Sequence, residues 1–210
     1  MARCVIFCAA GFDGLLAPVQ KDDFIIAADG GLRHTEALGI APDVILGDFD
    51  SLGYVPEHSS VFPVEKDDTD AMLAIRHGLS LGHKEFYLYG GMDGPRLDHT
   101  LANLQALQFL ADRGAFGYLV GKDTVATVVK DGKLQFSSTA EGILSVFCMG
   151  QPAEGVCLSG LQYPLAQGRL VAHFPLGVSN HFVGEAATVS VENGSLLVLF
   201  PRTVPLPKRA

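Results

Sequence analysis

Apolar and polar positions in the first half of the chain fall into short blocks. The runs Cys4-Val-Ile-Phe-Cys-Ala-Ala10, Phe24-Ile-Ile-Ala-Ala28, Val44-Ile-Leu46, Phe86-Tyr-Leu-Tyr89 and Tyr118-Leu-Val120 are short and apolar throughout, the pattern of strands buried on both faces. Helical spacing appears between them. It covers Leu32 to Gly39, with the glycine placed to stop the helix, and a second helix that Lys66-Asp67-Asp68-Thr69-Asp70 opens and that runs to about Ser80. The clearest helix runs from Asp98 to Asp112, with Leu101, Leu104, Leu107 and Leu110 at spacing three. Val61 to Val64 predicts a short strand, and Pro63 assigns it to a sheet edge. Strands alternating with helices imply a parallel sheet covered on both faces.

After about Asp123 the texture changes to short β-type segments: Thr124 to Val129, Leu134 to Phe136, Ile143 to Cys148, Val156 to Leu161 and Leu170 to Phe174. A last pair, Thr188 to Val191 and Leu196 to Phe200, flanks Asn193-Gly194, a strong hairpin signal. The expectation is two domains, α/β over 1–123 and an antiparallel sandwich or barrel over 124–210, with the tail from Pro201 frayed.

Composition narrows the classes. Hydrophobic residues make up 48% and charged residues 18% of the 210, which suits a globular chain with a sizeable core. Fifteen Lys plus Arg against 23 Asp plus Glu leave a formal net charge of −8, so no basic footprint invites nucleic acid or an anionic membrane. No apolar run reaches the length of a membrane span, and the start, Met1-Ala2-Arg3-Cys4, lacks a signal-peptide layout. The four cysteines include no CxxC, which favours free core thiols in a reducing cytoplasm over zinc binding.

Candidate chemistry centres on Gly47-Asp48-Phe49-Asp50-Ser51. In extended backbone Asp48 and Asp50 share a face while Phe49 turns to the core. At about 4 Å and an effective dielectric near 20, such a carboxylate pair repels by on the order of 4 kcal/mol. No Lys or Arg lies within ten residues on either side, so a hard divalent cation, Mg²⁺, is the natural partner. Two solvated aspartates in Asx turns are the alternative.

Three further polar clusters follow other strands: Asp29-Gly30-Gly31, Lys66 through Asp70, and Gly90 through His99. In parallel sheets ligands bind beyond the carboxyl ends of the strands, so all four clusters converge on one rim. Glycines permit close approach of a phosphate, and Lys66 and Arg96 offer positive charge. Phosphoryl or pyrophosphoryl transfer is the chemistry suggested. Each cluster also has a plainer reading: a turn at Asp29, helix N-terminal acids at Asp67 to Asp70, a local Arg96–Asp98 salt bridge, and a packed His99.

Taken in order, Ala-Asp29-Gly-Gly, Gly-Asp48-Phe-Asp50-Ser, Lys66-Asp-Asp-Thr-Asp70 and Gly-Pro-Arg96-Leu-Asp98-His99-Thr-Leu-Ala-Asn103 resemble the motifs of the thiamine pyrophosphokinases, the bacterial branch most closely. Gly160-Leu-Gln-Tyr163-Pro-Leu and Gly177-Val-Ser179-Asn180 resemble that family's thiamine-side motifs. The resemblance implies a Rossmann-like α/β catalytic domain followed by a β-sandwich. It also implies a homodimer whose active sites lie between one subunit's catalytic domain and the other's sandwich. The implied reaction converts ATP and thiamine to AMP and thiamine diphosphate. By the same resemblance, Asp48, Asp50 and Asp70 are Mg²⁺ ligands, and Asp29, Gly30, Gly31, Arg96, Asp98 and His99 border the nucleotide. Lys66 lies near the phosphates, Asp70 or Asp98 takes the hydroxyl proton, and Ser179, Asn180 and Tyr163 face thiamine. Bacterial members usually read Gly-Gly-Arg where this chain has Gly94-Pro95-Arg96, and proline removes one N–H from that turn.

Two rival functions remain at this level. A haloacid-dehalogenase-type phosphatase also uses DxD, but after its first strand and with Thr where Leu52 stands here. A non-catalytic thiamine or nucleotide sensor would not need every acidic motif position that this chain retains.

Overall fold

The computed structural model describes residues 2–61 and 68–210. They divide into two compact units, Met1–Lys122 and Asp123–Ala210. In the first unit the elements run β1 (Cys4–Phe7), β2 (Phe24–Ala28), a 3₁₀ turn (Asp29–Gly31), α1 (Leu32–Leu38), β3 (Val44–Gly47), β4 (Ser60–Val61), α2 (Asp70–Ser80), β5 (Glu85–Tyr89), α3 (Leu97–Ala111) and β6 (Phe116–Val120). The six strands lie in the order β6–β5–β1–β2–β3–β4, and every pair is parallel. From β1 the chain winds outward to β4, then returns to β1's other side with β5. The topological switch therefore falls between β1 and β5, where doubly wound sheets open a crevice. As the apolar runs predict, β1, β2 and β5 are buried through their centres: Ile6, Phe7, Ile26, Phe86 and Leu88 are fully enclosed, whereas the edge strand β4 is exposed.

Helix α1 ends at Gly39, whose φ of 67° only glycine adopts freely, with its N–H bonded to Glu36 O and that of Ile40 to Thr35 O. Thr69 caps α2 by accepting from Met72 N at 3.2 Å. In α3 the leucine row behaves differently from its sequence appearance. Leu107 and Leu110 are buried, whereas Leu101 is 55% exposed. A step of three residues turns about 300°, so the row drifts, and Leu101 lies half a turn from Leu110. The buried stripe instead follows Asn103, Ala106, Leu107 and Leu110, which puts a polar side chain at its N-terminal end.

In the second unit β7 (Thr124–Lys130), β9 (Ile143–Cys148), β12 (Gly177–His181) and β14 (Ser195–Pro201) form one antiparallel sheet, ordered β12–β9–β14–β7. The other comprises β8 (Lys133–Phe136), β10 (Ala153–Ser159), β11 (Leu165–Leu170), β13 (Ala187–Ser190) and β15 (Lys208–Arg209), ordered β11–β10–β13–β8–β15. Phe136 of the second sheet meets Phe200 of the first edge-on, with ring centroids 5.3 Å apart, and the two faces close as a sandwich.

Two expectations are corrected here, and one strand has no counterpart in the apolar pattern. The strand expected over Leu170 to Phe174 is β11 instead, ending at Leu170, and Val171 to Phe174 makes an isolated bridge. Strand β12 shows no apolar run. The tail is not frayed: β15 pairs with β8, and the Arg209 guanidinium donates to Thr127 Oγ1 at 3.0 Å and to Val128 O. All three strands lie at sheet edges, where one flank faces solvent and polar residues blur the pattern. Of the edge strand expected over Val61 to Val64, only Ser60–Val61 is seen, because 62–64 fall outside the described residues.

An ion pair fastens the start of the sheet. Asp23, 8% exposed, accepts from Arg3 Nε at 2.8 Å and from Gln20 N at 2.7 Å, while Arg3 lies over the Tyr87 ring. Burial raises the Asp23 pKa, but the Arg3 and Gln20 hydrogen bonds together outweigh it and leave the carboxyl below its ordinary range. A depressed carboxylate contributes stability that is complete above the unfolded value of about 4 and disappears as pH falls through the lower folded value. Urea unfolding of Asp23→Asn should show lower stability than wild type at neutral pH, with the gap closing towards about pH 3. Arg209→Ala should lower unfolding free energy by about 1.5–3 kcal/mol through its two charge-assisted bonds, measured the same way.

Candidate active site

The exits of β1, β2, β3 and β5 surround a cavity of about 670 Å³ in the first unit. Its lining includes Ala9 and Ala10 after β1, Asp29 after β2, Asp48, Asp50 and Ser51 after β3, and Gly90 and Gly91 after β5. Asp68, Thr69 and Asp70 come from the start of α2, and Arg96, His99, Thr100 and Asn103 from the start of α3. The four polar clusters of the sequence thus meet at one rim, except that Lys66 and Asp67 lie outside the described residues.

Three carboxylates gather most closely. One oxygen each of Asp29, Asp48 and Asp50 can be chosen so that all lie within 4.8 Å of one another. At that separation and an effective dielectric of about 20, each like-charged pair repels by about 3.5 kcal/mol. Asp29 is 5% exposed, and its Oδ1 is buried with no hydrogen-bond partner. A buried carboxylate oxygen is rarely left so, and its position beside two more acids is what a cation site requires. Asp70, expected among the ligands, lines the same cavity.

Local backbone explains the gathering. Asp29 has φ 48° and Phe49 φ 61°, both left-handed. Simple strand alternation is therefore not what brings Asp48 and Asp50 together. Phe49 leaves the strand path and drops into a pocket of Ala27, Leu32 and Leu52, with Ile45 packed beside it. Its burial at 2% exposure draws the two flanking acids to the rim. Asp50 N donates to Asp48 Oδ1 at 3.3 Å, so the Asx turn of the plainer reading is present within the cluster. Gly47, at φ 149°, faces Asp29: a Cβ there would lie 3.1 Å from the Asp29 backbone and side chain.

The glycines after Asp29 have a packing role. Gly30 and Gly31 are buried and do not line the cavity; a Cβ at Gly31 would sit 1.9 Å from Phe7 O. Gly90 and Gly91 do line it, and Asn103 Nδ2, from α3, donates to Gly91 O at 2.7 Å. Asp93, also left-handed at φ 61°, accepts from Lys122 N at 2.6 Å and anchors the far end of that turn.

Among the described residues, Arg96 and Arg33 bring positive charge to the rim, and Arg76 pairs with Asp68 of the lining at 3.0 Å. Arg96 donates to Asp98 through Nε at 3.2 Å and Nη2 at 2.6 Å. The Arg96 hydrogen bond holds the Asp98 carboxyl below its ordinary range, and the Asp98 bond and charge, with a contribution from Asp50, hold Arg96 above its own. Asp98 is thus a partner of Arg96 rather than part of the cavity lining. Arg33, which the sequence reading passed over, reaches Ser51 O with Nη2 at 2.8 Å, and Ser51 Oγ donates to Asp50 Oδ1 at 3.2 Å. Its fifteen-residue distance from Asp48 hid it; its place on the helix that follows Asp29 was the available signal. Asn103 could have been found from its spacing, one turn beyond His99 on the cavity side of α3. Cys8 also borders the cavity, but burial, with the Asp70 charge, pushes its thiol up to about 12, so it is no nucleophile at neutral pH.

Residues expected at thiamine lie in the second unit. Tyr163 is 60% exposed, Ser179 is exposed at φ 59°, and Asn180 is buried.

Comparison with known proteins follows the same division. Residues 17–115 match the family described as thiamin pyrophosphokinase, catalytic domain, and residues 133–196 match thiamin pyrophosphokinase, vitamin B1 binding domain. Among solved structures, the chain is similar to thiamine pyrophosphokinase from Bacillus subtilis, with TM-score 0.80 and 23% identity over 96% of this chain and 99% of that one. It is similar to a thiamin pyrophosphokinase family protein from Enterococcus faecalis at TM-score 0.78 and 24% identity, covering 96% and 99%. Thiamin pyrophosphokinase from Candida albicans gives TM-score 0.72 and 16% identity, covering 95% and 88%. No curated protein matches the sequence. At these identities the structures establish a shared fold, and the two domain matches, in order and over most of the chain, establish that the chain belongs to the thiamin pyrophosphokinase family.

Proposed function

We propose that this thiamin pyrophosphokinase transfers the pyrophosphoryl group of ATP to the hydroxyl of thiamine, giving AMP and thiamine diphosphate, with ATP held at the first unit's cavity. The observation that carries the reading is the unpartnered, buried Asp29 Oδ1 beside Asp48 and Asp50. Oxygen donors alone, three of them acidic, fit Mg²⁺, and Asp29, Asp48 and Asp50 would hold it, with Asp70 on the same wall. Bound there, Mg²⁺ supplies charge neutralisation to phosphate oxygens.

The chain's own groups do the rest. Arg96 and Arg33 offer guanidiniums at the rim, and Gly90 and Gly91 bring backbone to the cavity wall, where a Cβ at Gly90 would lie 2.3 Å from Cys8 O. The Asn103 and Asp93 contacts fix that turn before substrate arrives, which favours positioning over rearrangement. Pro95 lines the cavity without an N–H to donate, so phosphate contacts fall to its neighbours. Asp98 is committed to Arg96 and is a weak base, which leaves Asp70 as the carboxylate placed to accept the thiamine hydroxyl proton.

In this proposal Ser179 and Tyr163 meet thiamine, and the protein works as a homodimer in the cytoplasm. Among the described residues no helix is long and apolar enough to cross a membrane. Nothing in the fold favours the phosphatase reading, since the aspartate pair follows β3 and not β1.

With ATP and Mg²⁺, AMP should appear only when thiamine is present; thiamine-independent release of inorganic phosphate would contradict the proposal. Asp50→Asn should lower kcat by on the order of 100-fold or more while circular dichroism and melting stay near wild type. Near-full turnover of that variant would remove the metal argument.

A further inference from the structure

Asn180 is 3% exposed, and a buried primary amide needs partners for both its ends. It has them. Its Oδ1 accepts from Tyr163 N at 2.9 Å and from His181 N at 2.9 Å, and its Nδ2 donates to Tyr163 O at 2.7 Å. One side chain therefore grips both backbone groups of a residue seventeen positions earlier. Because Tyr163 offers one donor and one acceptor, the amide has a single fitting orientation.

The surrounding strand explains how an asparagine came to face inward. The pairing of β12 with β9 shifts register between Gly177 and Asn180, and Ser179 sits at φ 59° with its N–H on Ser145 Oγ at 3.1 Å. This bulge leaves Val178 and Ser179 both exposed and turns Asn180 inward. The partner segment is laid along the strand by two further contacts, the Leu161–Phe182 bridge and Gln162 N to His181 O at 2.9 Å. Its start is fixed too: Gly160 has φ 66°, and a Cβ there would lie 2.2 Å from Ala186 O. Tyr163 ends this clamped segment with its side chain 60% exposed, an aromatic ring held out on a rigid backbone.

We infer that Asn180 is a positioning residue for vitamin binding: it does not touch thiamine but fixes the backbone of Tyr163, whose ring forms a wall of the thiamine pocket. The inference rests on the proposed function for its ligand, and on the hydrogen bonds alone for the clamp. All of the amide's polar atoms are committed to the chain, so Ser179, exposed one residue earlier, is the member of the pair free to meet substrate.

Steady-state kinetics of Asn180→Ala, Tyr163→Ala and the double variant test it. Each single change should raise the KM for thiamine on the order of tenfold, with the effect on thiamine KM rather than on ATP KM or kcat. Because both act through one ring, the double variant should be no worse than Tyr163→Ala. Multiplying effects, on the order of a hundredfold, would show that Asn180 contacts thiamine independently and would overturn the inference. Asn180→Asp keeps the acceptor but sets a carboxylate oxygen against Tyr163 O in place of the donor, so it should raise the thiamine KM at least as much as Asn180→Ala. Amide hydrogen exchange reads the clamp without substrate: Tyr163 N–H should lose protection in Asn180→Ala, and unchanged protection overturns the clamp whatever the kinetics. Failure of wild type to bind thiamine by titration would instead sink the proposed function, and with it the inference's ligand, while exchange still judges the clamp.

Discussion

Mutual repulsion among Asp29, Asp48 and Asp50 is the constraint around which the first unit is arranged. Folding alone would avoid it, since each close pair opposes the native state by about 3.5 kcal/mol and one of the oxygens is buried without a partner. The parallel sheet nevertheless delivers these side chains to one place, because β1, β2, β3 and β5 all end on the same side and the chain reverses between β1 and β5. Their tolerance depends on positive charge arriving from outside the cluster. Arg96 and Arg33 supply part of it from the rim, and the proposed function assigns the remainder to a divalent cation that suits these oxygen donors.

What keeps the carboxylates from relaxing apart is apolar packing one residue away. Phe49, between the two aspartates, is enclosed by Ala27, Leu32 and Leu52, and withdrawing it to let Asp48 and Asp50 separate would expose a buried aromatic ring. The left-handed backbone at Asp29, Phe49 and Asp93 stores strain on the order of 1 kcal/mol each, and each lies in a turn that supplies residues to the cavity lining. Gly31 and Gly47 contribute by what they lack, letting the turn after β2 press against β1 and β3. The second unit shows a parallel device on a smaller scale. There a bulge turns Asn180 inward, and a single amide holds a segment whose aromatic side chain stays exposed.

Much of this could be read from the sequence where burial is two-sided. The central strands, the stop at Gly39 and the meeting of four polar clusters all follow from apolar runs and their punctuation. Legibility failed at edges: β11, β12 and β15 carry polar residues because solvent takes one flank, and the Pro-rich tail around β15 reads as frayed. It failed again where a side chain's role depends on what lies opposite. What lies opposite Gly30 and Gly31 is Ala9 and Phe7, and Asp29 stands beside the aspartate pair, placements that only the folded chain displays. Arg33 acts through a contact that no local spacing announces, whereas the place of Asn103 one turn beyond His99 does announce its side of α3.

The central claim is that a cation relieves this crowding, and thermal unfolding against Mg²⁺ concentration, without nucleotide or thiamine, tests it most directly. Wild type should melt at progressively higher temperature as Mg²⁺ is added. Asn at position 29, in Asp29→Asn, should melt at or above the metal-free wild type and gain nothing from Mg²⁺. A wild type indifferent to Mg²⁺, together with an Asp29→Asn variant that melts lower than metal-free wild type, would contradict the account.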